Sequence, residues 1–217
     1  MSQIFTLVGI STLQTLEMVL FSTLFSMVIG FPLGVLLFST NAMGITPRPV
    51  LNQVLSRIVN ILRSFPFIIL MILLFPLSRL VLGTSIGTTA TIIPLSIAAA
   101  PFVARLVETS LLEVDPGMIQ AARAMGSTNW QIIIKVMIPE SMPSLVSGIT
   151  LTIINLIGYS AMAGTIGGGG LGDLAIRYGY QRFRPDVMAA SVVVIIIMVE
   201  VIQFIGTRIA NKMLANR

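Results

Sequence analysis

The 217-residue chain has no cysteine and no histidine, and charged residues make up only 10% of it. Without cysteine there can be no disulfide, thiol nucleophile or thiolate metal ligand; without histidine, imidazole-based triads and ordinary zinc sites are excluded too. Carboxylates are also scarce: Asp and Glu total 8 against 13 Lys and Arg, a formal net charge of +5. In a soluble protein that excess would point to nucleic acid, but a soluble domain carries roughly a quarter charged residues. Here hydrophobic residues supply 55% of the chain and the mean hydropathy is +0.98. Too little polar surface exists to cover a globule, so the sequence describes an integral membrane protein whose solvent is the lipid bilayer, with no nucleic-acid partner. Its start, Met1-Ser2-Gln3-Ile4, lacks the basic opening of a signal peptide, and the first apolar run is expected to be retained as a span.

Charge-free runs divide the chain. Met18 to Phe38 carries no charge and suffices to cross about 30 Å of hydrocarbon at about 1.5 Å per residue. A second span is expected over 58–80, with Arg57 and Arg63 snorkelling at its base and Pro66 and Pro76 interrupting it. Gly83 to Gly87 reads as a tight outer turn before a third span over 89–104, although 64–104 is also compatible with a single re-entrant hairpin. A charged segment over 107–140 follows, then a fourth span over 145–165 and a glycine-rich stretch that bends back or lies along the surface. The fifth span covers 187–207 and contains Glu200. The fold class is therefore all-α: one polytopic domain of about five transmembrane helices.

Lysine and arginine orient it. With the N-terminus outside and the C-terminus in the cytoplasm, Arg48, Arg57, Arg63, Arg105, Arg123, Lys135, Arg208, Lys212 and Arg217 fall inside. Only Arg79, Arg177, Arg182 and Arg184 fall outside, so the cationic bias selects this orientation and puts the charged segment in the cytoplasm.

Within that segment, Asp115-Pro116 forms a helix start: the carboxylate can cap free N–H groups and Pro suits the first helical position. Ala121, Ala122 and Ala124 leave room for close approach, Gly126 can take the positive φ that stops a helix, and Thr128 or Asn129 can begin a second short helix toward Pro139. The result is a compact knob able to transmit a push. This pattern resembles the cytoplasmic coupling segment of ABC importer permeases: Glu-Ala-Ala, three residues, Gly, nine residues, then Ile-x-Leu-Pro. Ala121, Ala122 and Gly126 match, Val136-Met137-Ile138-Pro139 closes the pattern with aliphatic swaps, and Gln120 replaces the usual Glu, losing a charge but keeping hydrogen-bonding capacity.

Arg63-Ser64-Phe65-Pro66-Phe67, Gly158-Tyr159-Ser160-Ala161-Met162 and the stretch from Gly167 to Tyr180 are similar to the methionine-importing branch of those permeases. The resemblance implies a type I importer permease-like subunit in the bacterial cytoplasmic (inner) membrane. Its implied partners are a second copy of itself, two ATPase subunits and an extracytoplasmic substrate-binding protein; its cargo would be a small-molecule amino acid, methionine first. ATP and Mg would be used by the partner ATPase, with no cofactor and no metal bound by this chain and no catalytic residues of its own. Gln120, Ala121, Ala122, Gly126 and Pro139 would carry ATPase coupling. The rival cargoes are another amino acid, a short peptide or an osmolyte, and the rival class is an ATPase-independent secondary carrier.

The tract Gly167-Gly168-Gly169-Gly170-Leu171-Gly172 formally contains G-x-G-x-x-G, but a span precedes it instead of a strand, and no Lys-Ser/Thr follows. It is read as a sharp turn and not as a nucleotide site. Beyond it, Asp173, Arg177 and Tyr180 are candidate contacts for the binding protein, or interfacial anchors. Tyr159, Ser160 and Met162 are candidates for the substrate pathway, with helix packing at a dimer interface the competing reading. Glu200 is read as an uncharged or interhelically hydrogen-bonded acid, with a proton site as the alternative.

Overall fold

Little in the first forty residues stops a helix, and α1 runs unbroken over Ser2–Thr40 in the computed structural model, which describes residues 2–215. The expected span over 18–38 is thus the second half of a longer helix. Glu17, which bounded the charge-free run, is exposed on the helix surface and costs the helix nothing. At 39 residues, α1 is about 58 Å long and exceeds the hydrocarbon core by nearly a factor of two.

The second half of α1 packs against α4 (Thr88–Leu112). Ser22 Oγ donates to the carbonyl of Ile92, 70 residues on. At the same offset, Gly30 and Gly34 approach the carbonyls of Ala100 and Ala104 so closely that a Cβ would sit 2.6 and 2.5 Å from them. A constant offset means the helices are parallel. Ser22, Ser26, Gly30 and Gly34 place a small residue at every fourth position, which brings the two backbones together.

Parallel neighbours require the chain to cross back, and α2 (Pro49–Ser64) and α3 (Phe67–Leu82) do so with a bend of 103° between them. The stretch expected as an interrupted span over 58–80 is thus two helices, and the interruption falls at Pro66. Pro66 lacks an N–H and pushes Phe65 into extended backbone, with ψ of 131°, so no helix passes through. α2 is amphipathic: Val59 packs on Leu37 and Ala104 while Arg57 and Arg63 stay outside that cluster. Gly83, at φ 77°, ends α3 in the left-handed conformation. α4 then runs past the expected limit at Ala104, because Glu108 is buried but bound by Arg105 and by the Asn41 amide.

Beyond α4 come α5 (Pro116–Ala124), α6 (Asn129–Ile132), a π turn (Ile133–Met137) and α7 (Ile138–Gly164). The second short helix, expected to run toward Pro139, continues through it: residues 129–164 form one continuous helix, which contains the fourth span expected over 145–165 up to Gly164. The wider π turn, closed by Ile138 N–H to the carbonyl of Ile133, lets Pro139 enter without its missing donor being felt. α7 lies antiparallel to α4, with Ser110 beside Ser144 and Gly148 beside Leu106. After α8 (Gly170–Leu174) and a second π turn (Ala175–Tyr180), α9 (Pro185–Ala215) returns along α7, with Gly206 against Thr150. The described residues hold four helices long and apolar enough to cross a bilayer, or five if the bent α2–α3 pair counts as one.

Candidate functional site

The knob between α4 and α7 is built by local turn chemistry. Asp115 accepts from the Gly117 N–H at 2.7 Å, capping α5 behind Pro116. Gly126, at φ 81°, terminates it, with the Ser127 N–H reaching back to the Ala122 carbonyl at 3.1 Å. Thr128 and Gln131 form a reciprocal capping box that starts α6. The knob is anchored from beneath: Ala122, Ile132, Ile133 and Met137 are buried with Phe38, Val107 and Leu145, and Arg123 Nη2 donates to the Ile45 carbonyl at 2.9 Å. Of the residues implicated in coupling, Gln120, Ala121, Gly126 and Pro139 are exposed and Ala122 is turned inward. Sequence reading passed over Met118, Met125 and Trp130, exposed by 41%, 80% and 68%. These three large apolar groups stand on an otherwise polar protrusion, and their sparse spacing gave no periodic signal.

Tyr159 stacks flat on Phe67, centroids 4.3 Å apart, and closes a cavity of about 150 Å³ also lined by Leu70, Ala98 and Phe102. Met162, one turn on, is 46% exposed. Ser160 is different: it is 1% exposed and its hydroxyl donates to the Ile157 carbonyl at 2.8 Å, so it is a packing residue turned away from this space.

The glycine tract is held by α1. Gly167, Gly169 and Gly170 adopt positive φ, and the first N–H groups of α8 donate to Gln14 Oε1 at 3.0 Å and Thr15 Oγ1 at 2.9 Å. Gly172 lies against the Ala161 backbone, where a Cβ would come within 2.3 Å of the carbonyl. Past it, Asp173 is ion-paired with Arg177, whereas Tyr180 is 69% exposed. Arg182 sits over the Tyr178 ring at 4.4 Å. Hydrogen bonding to Asp186 and then its charge raise the Arg184 pKa above its ordinary value. Glu200 lies midway along α9 on its exposed face, not between helices, so the interhelical hydrogen bond expected of it is not made within the described residues. Among the described residues, no three His, Cys, Asp or Glu side chains gather in a way that could hold a metal.

Apolar helices long enough to cross a bilayer, with a packed knob at one end and an aromatic-lined cavity within, define a multi-pass membrane protein. The chain belongs to the family described as "Binding-protein-dependent transport system inner membrane component", which matches residues 30–214. It is 52% identical over 210 residues to the "Probable D-methionine transport system permease protein MetI" of Pasteurella multocida, covering 97% of each chain. It is 50% identical over 176 residues to the "Methionine import system permease protein MetP" of Bacillus subtilis, covering 81% of this chain and 79% of that one. Among solved structures, one described as "Inward facing conformations of the MetNI methionine ABC transporter" superposes with a TM-score of 0.96 at 46% identity, covering 98% of this chain and 99% of the other. An "amino acid ABC transporter with histidines" shares the fold, with a TM-score of 0.77 at 20% identity and 98% of this chain covered.

Proposed function

We propose that the chain is the transmembrane permease subunit of an ATP-driven importer for an amino acid, methionine first. Its relatives carry that cargo in their names at about half identity over nearly the whole chain. The observation that carries the coupling part of this reading is the anchored knob: an exposed apolar cap of Met118, Met125 and Trp130 on a base packed into the helix bundle. A separate ATPase that docks there uses ATP and Mg, and its movement passes through Ala122, Ile132 and Met137 to α4 and α7. This chain supplies the conduit and no catalytic group.

The knob end lies in the cytoplasm, with the N-terminus outside. Arg48, Arg57, Arg105, Arg123, Lys135, Arg208 and Lys212 belong to the same end of the fold as the knob, as the positive-inside rule demands; Arg217 lies outside the described residues. Two copies of the chain and two ATPases form the transporter. The unburied face of α9 supports the second copy, because it carries Glu200, Gln203 and Thr207, and a charge at the bilayer centre costs about 2.5–3.5 kcal/mol on insertion scales. Exposed Tyr180 and Phe183 at the opposite end offer a surface for an extracytoplasmic binding protein. Tyr159 and Met162 line the path, with the phenol beside the cargo's polar groups and the thioether beside its side chain. The test is uptake of labelled methionine into proteoliposomes containing the chain with its ATPase, supplied with binding protein and ATP. Uptake that requires all three supports the reading, and accumulation without the ATPase would overturn it in favour of a secondary carrier. Tyr159→Ala and Met162→Ala should each lower uptake while leaving assembly intact.

A further inference from the structure

The cavities of the chain line up. Three of them share lining residues in series, from the α4–α7 seam at the knob end to the space among α2, α3, α4 and Tyr159. The first, about 470 Å³, lies at the knob end beside Glu113, Asp115 and Glu140. The second, about 350 Å³, shares Ser110, Ser144 and Ser147 with the first and adds Arg63, Phe102 and Arg105. The third, about 150 Å³, shares Arg63 and Phe102 with the second and ends on Tyr159. A groove thus leads from Tyr159 down to an acidic mouth, and Arg63 stands where its two upper chambers meet.

Two guanidinium groups face this groove, in opposite circumstances. Arg105 is neutralised: Glu108 holds Nη1, and Asn60 Oδ1 accepts from Nη2 at 2.9 Å. Arg63 has no carboxylate partner among the described residues, and its contact is the Phe102 ring, 6.0 Å from its guanidinium carbon. The neighbouring hydroxyls have spent their protons or paired with each other: Thr109 on the Arg105 carbonyl, Ser147 on the Pro143 carbonyl, Ser110 with Ser144. Besides the Tyr159 phenol at the far end, the charged donors left for a ligand in the groove are those of Arg63. A guanidinium fork fits a carboxylate with two parallel hydrogen bonds, which an ammonium or hydroxyl cannot reproduce.

Resting on the importer reading above, we propose that Arg63 is a carboxylate-reading station in the translocation path. It takes the carboxylate of a zwitterionic amino acid as the molecule leaves the level of Tyr159, while the Phe102 face accepts the apolar side chain. The acids at the mouth then complete the sequence. Glu113, Asp115 and Glu140 attract the ammonium group and repel the carboxylate, so the cargo is released toward the knob end and is not held at Arg63. The order of charges along the groove, cation then anions, suits a molecule carrying both.

The test uses the complete transporter without nucleotide and a diazirine analogue of methionine as photoprobe, with labelled peptides of this chain mapped by mass spectrometry. In the wild type, label falls on α4 and α7 beside Arg63. Free methionine displaces it at least tenfold more effectively than methionine amide, which lacks the carboxylate. Arg63→Gln should abolish that preference and lower uptake at least tenfold, with basal ATP hydrolysis within twofold of wild type. Arg63→Lys, keeping the charge but not the fork, should recover part of both and serves alone if Arg63→Gln fails to assemble. A residue that merely held the fold would change assembly and hydrolysis without altering the acid-over-amide preference. An unchanged preference in Arg63→Gln and Arg63→Lys overturns the proposal, as does label confined to other parts of the chain. A wild-type complex that takes up no methionine at all would instead sink the importer reading, whatever Arg63 does.

Discussion

α4 and α9 are both long and apolar, and α4 stays helical through Pro94 and Pro101, yet 67% of the most apolar window of α4 is buried against 11% of that of α9. α4 is enclosed by its own chain: α1 runs parallel to it through Gly30 and Gly34, α7 antiparallel through Gly148, and a buried Glu108 is tolerated because Arg105 and Asn41 bind it. α9 has a neighbour on one side and leaves Glu200, Gln203 and Thr207 uncovered. Two helices of similar composition therefore differ in what completes them. α4 is enclosed within the chain, and the outer face of α9 is left open by it.

That contrast can be broken at either helix. The largest effect is expected from Gly34→Val, which drives a branched side chain into the Ala104 carbonyl. Overpacking of this kind costs about 1–3 kcal/mol, and the yield of monodisperse complex and its thermal midpoint should both fall. Gly158→Ala is the control, since nothing lies within 4 Å of the added carbon; equal loss in the two would refute the close α1–α4 seam. For α9, the chain's lack of cysteine makes Gln203→Cys a clean probe. It should cross-link two copies under mild oxidation without altering the thermal midpoint, whereas Leu80→Cys, on a side chain 83% exposed, should not. A Gln203→Cys chain that stays uncross-linked while reacting with a bilayer-soluble thiol reagent would show that lipid covers this face. The smallest effect belongs to Ser160→Ala. Removing a hydroxyl bonded within its own helix should change uptake less than twofold, and a larger loss would return Ser160 to the path.

What could be read from sequence was local. Asp115-Pro116, Gly126 and Thr128 each satisfy backbone groups within a few residues, so the knob was legible before any tertiary contact was known. Pro66 could be read as an interruption of the second span, but the 103° bend that it sets between α2 and α3 could not. That the helix running toward Pro139 continues through it was not legible, because a π turn supplies the way. Contacts between distant segments left no trace in the pattern: Gln14 and Thr15 hold the glycine tract from 156 residues away, and Phe67 meets Tyr159 only after the chain has crossed back. Arg63 was visible as a charge beside an apolar run, but its lack of a partner could be recognised only once Arg105 was found to be bound.

The central claim is that the knob couples this chain to a separate motor, and Gly126→Asp tests it most directly. Gly126 is exposed with open space around its α-carbon, and aspartate is among the residues that tolerate a positive φ, so the substitution places a charge on the docking face without dismantling the fold. The account predicts an intact, membrane-inserted chain that no longer copurifies the ATPase and no longer takes up methionine on addition of ATP. Full ATPase copurification and wild-type uptake in Gly126→Asp would contradict it.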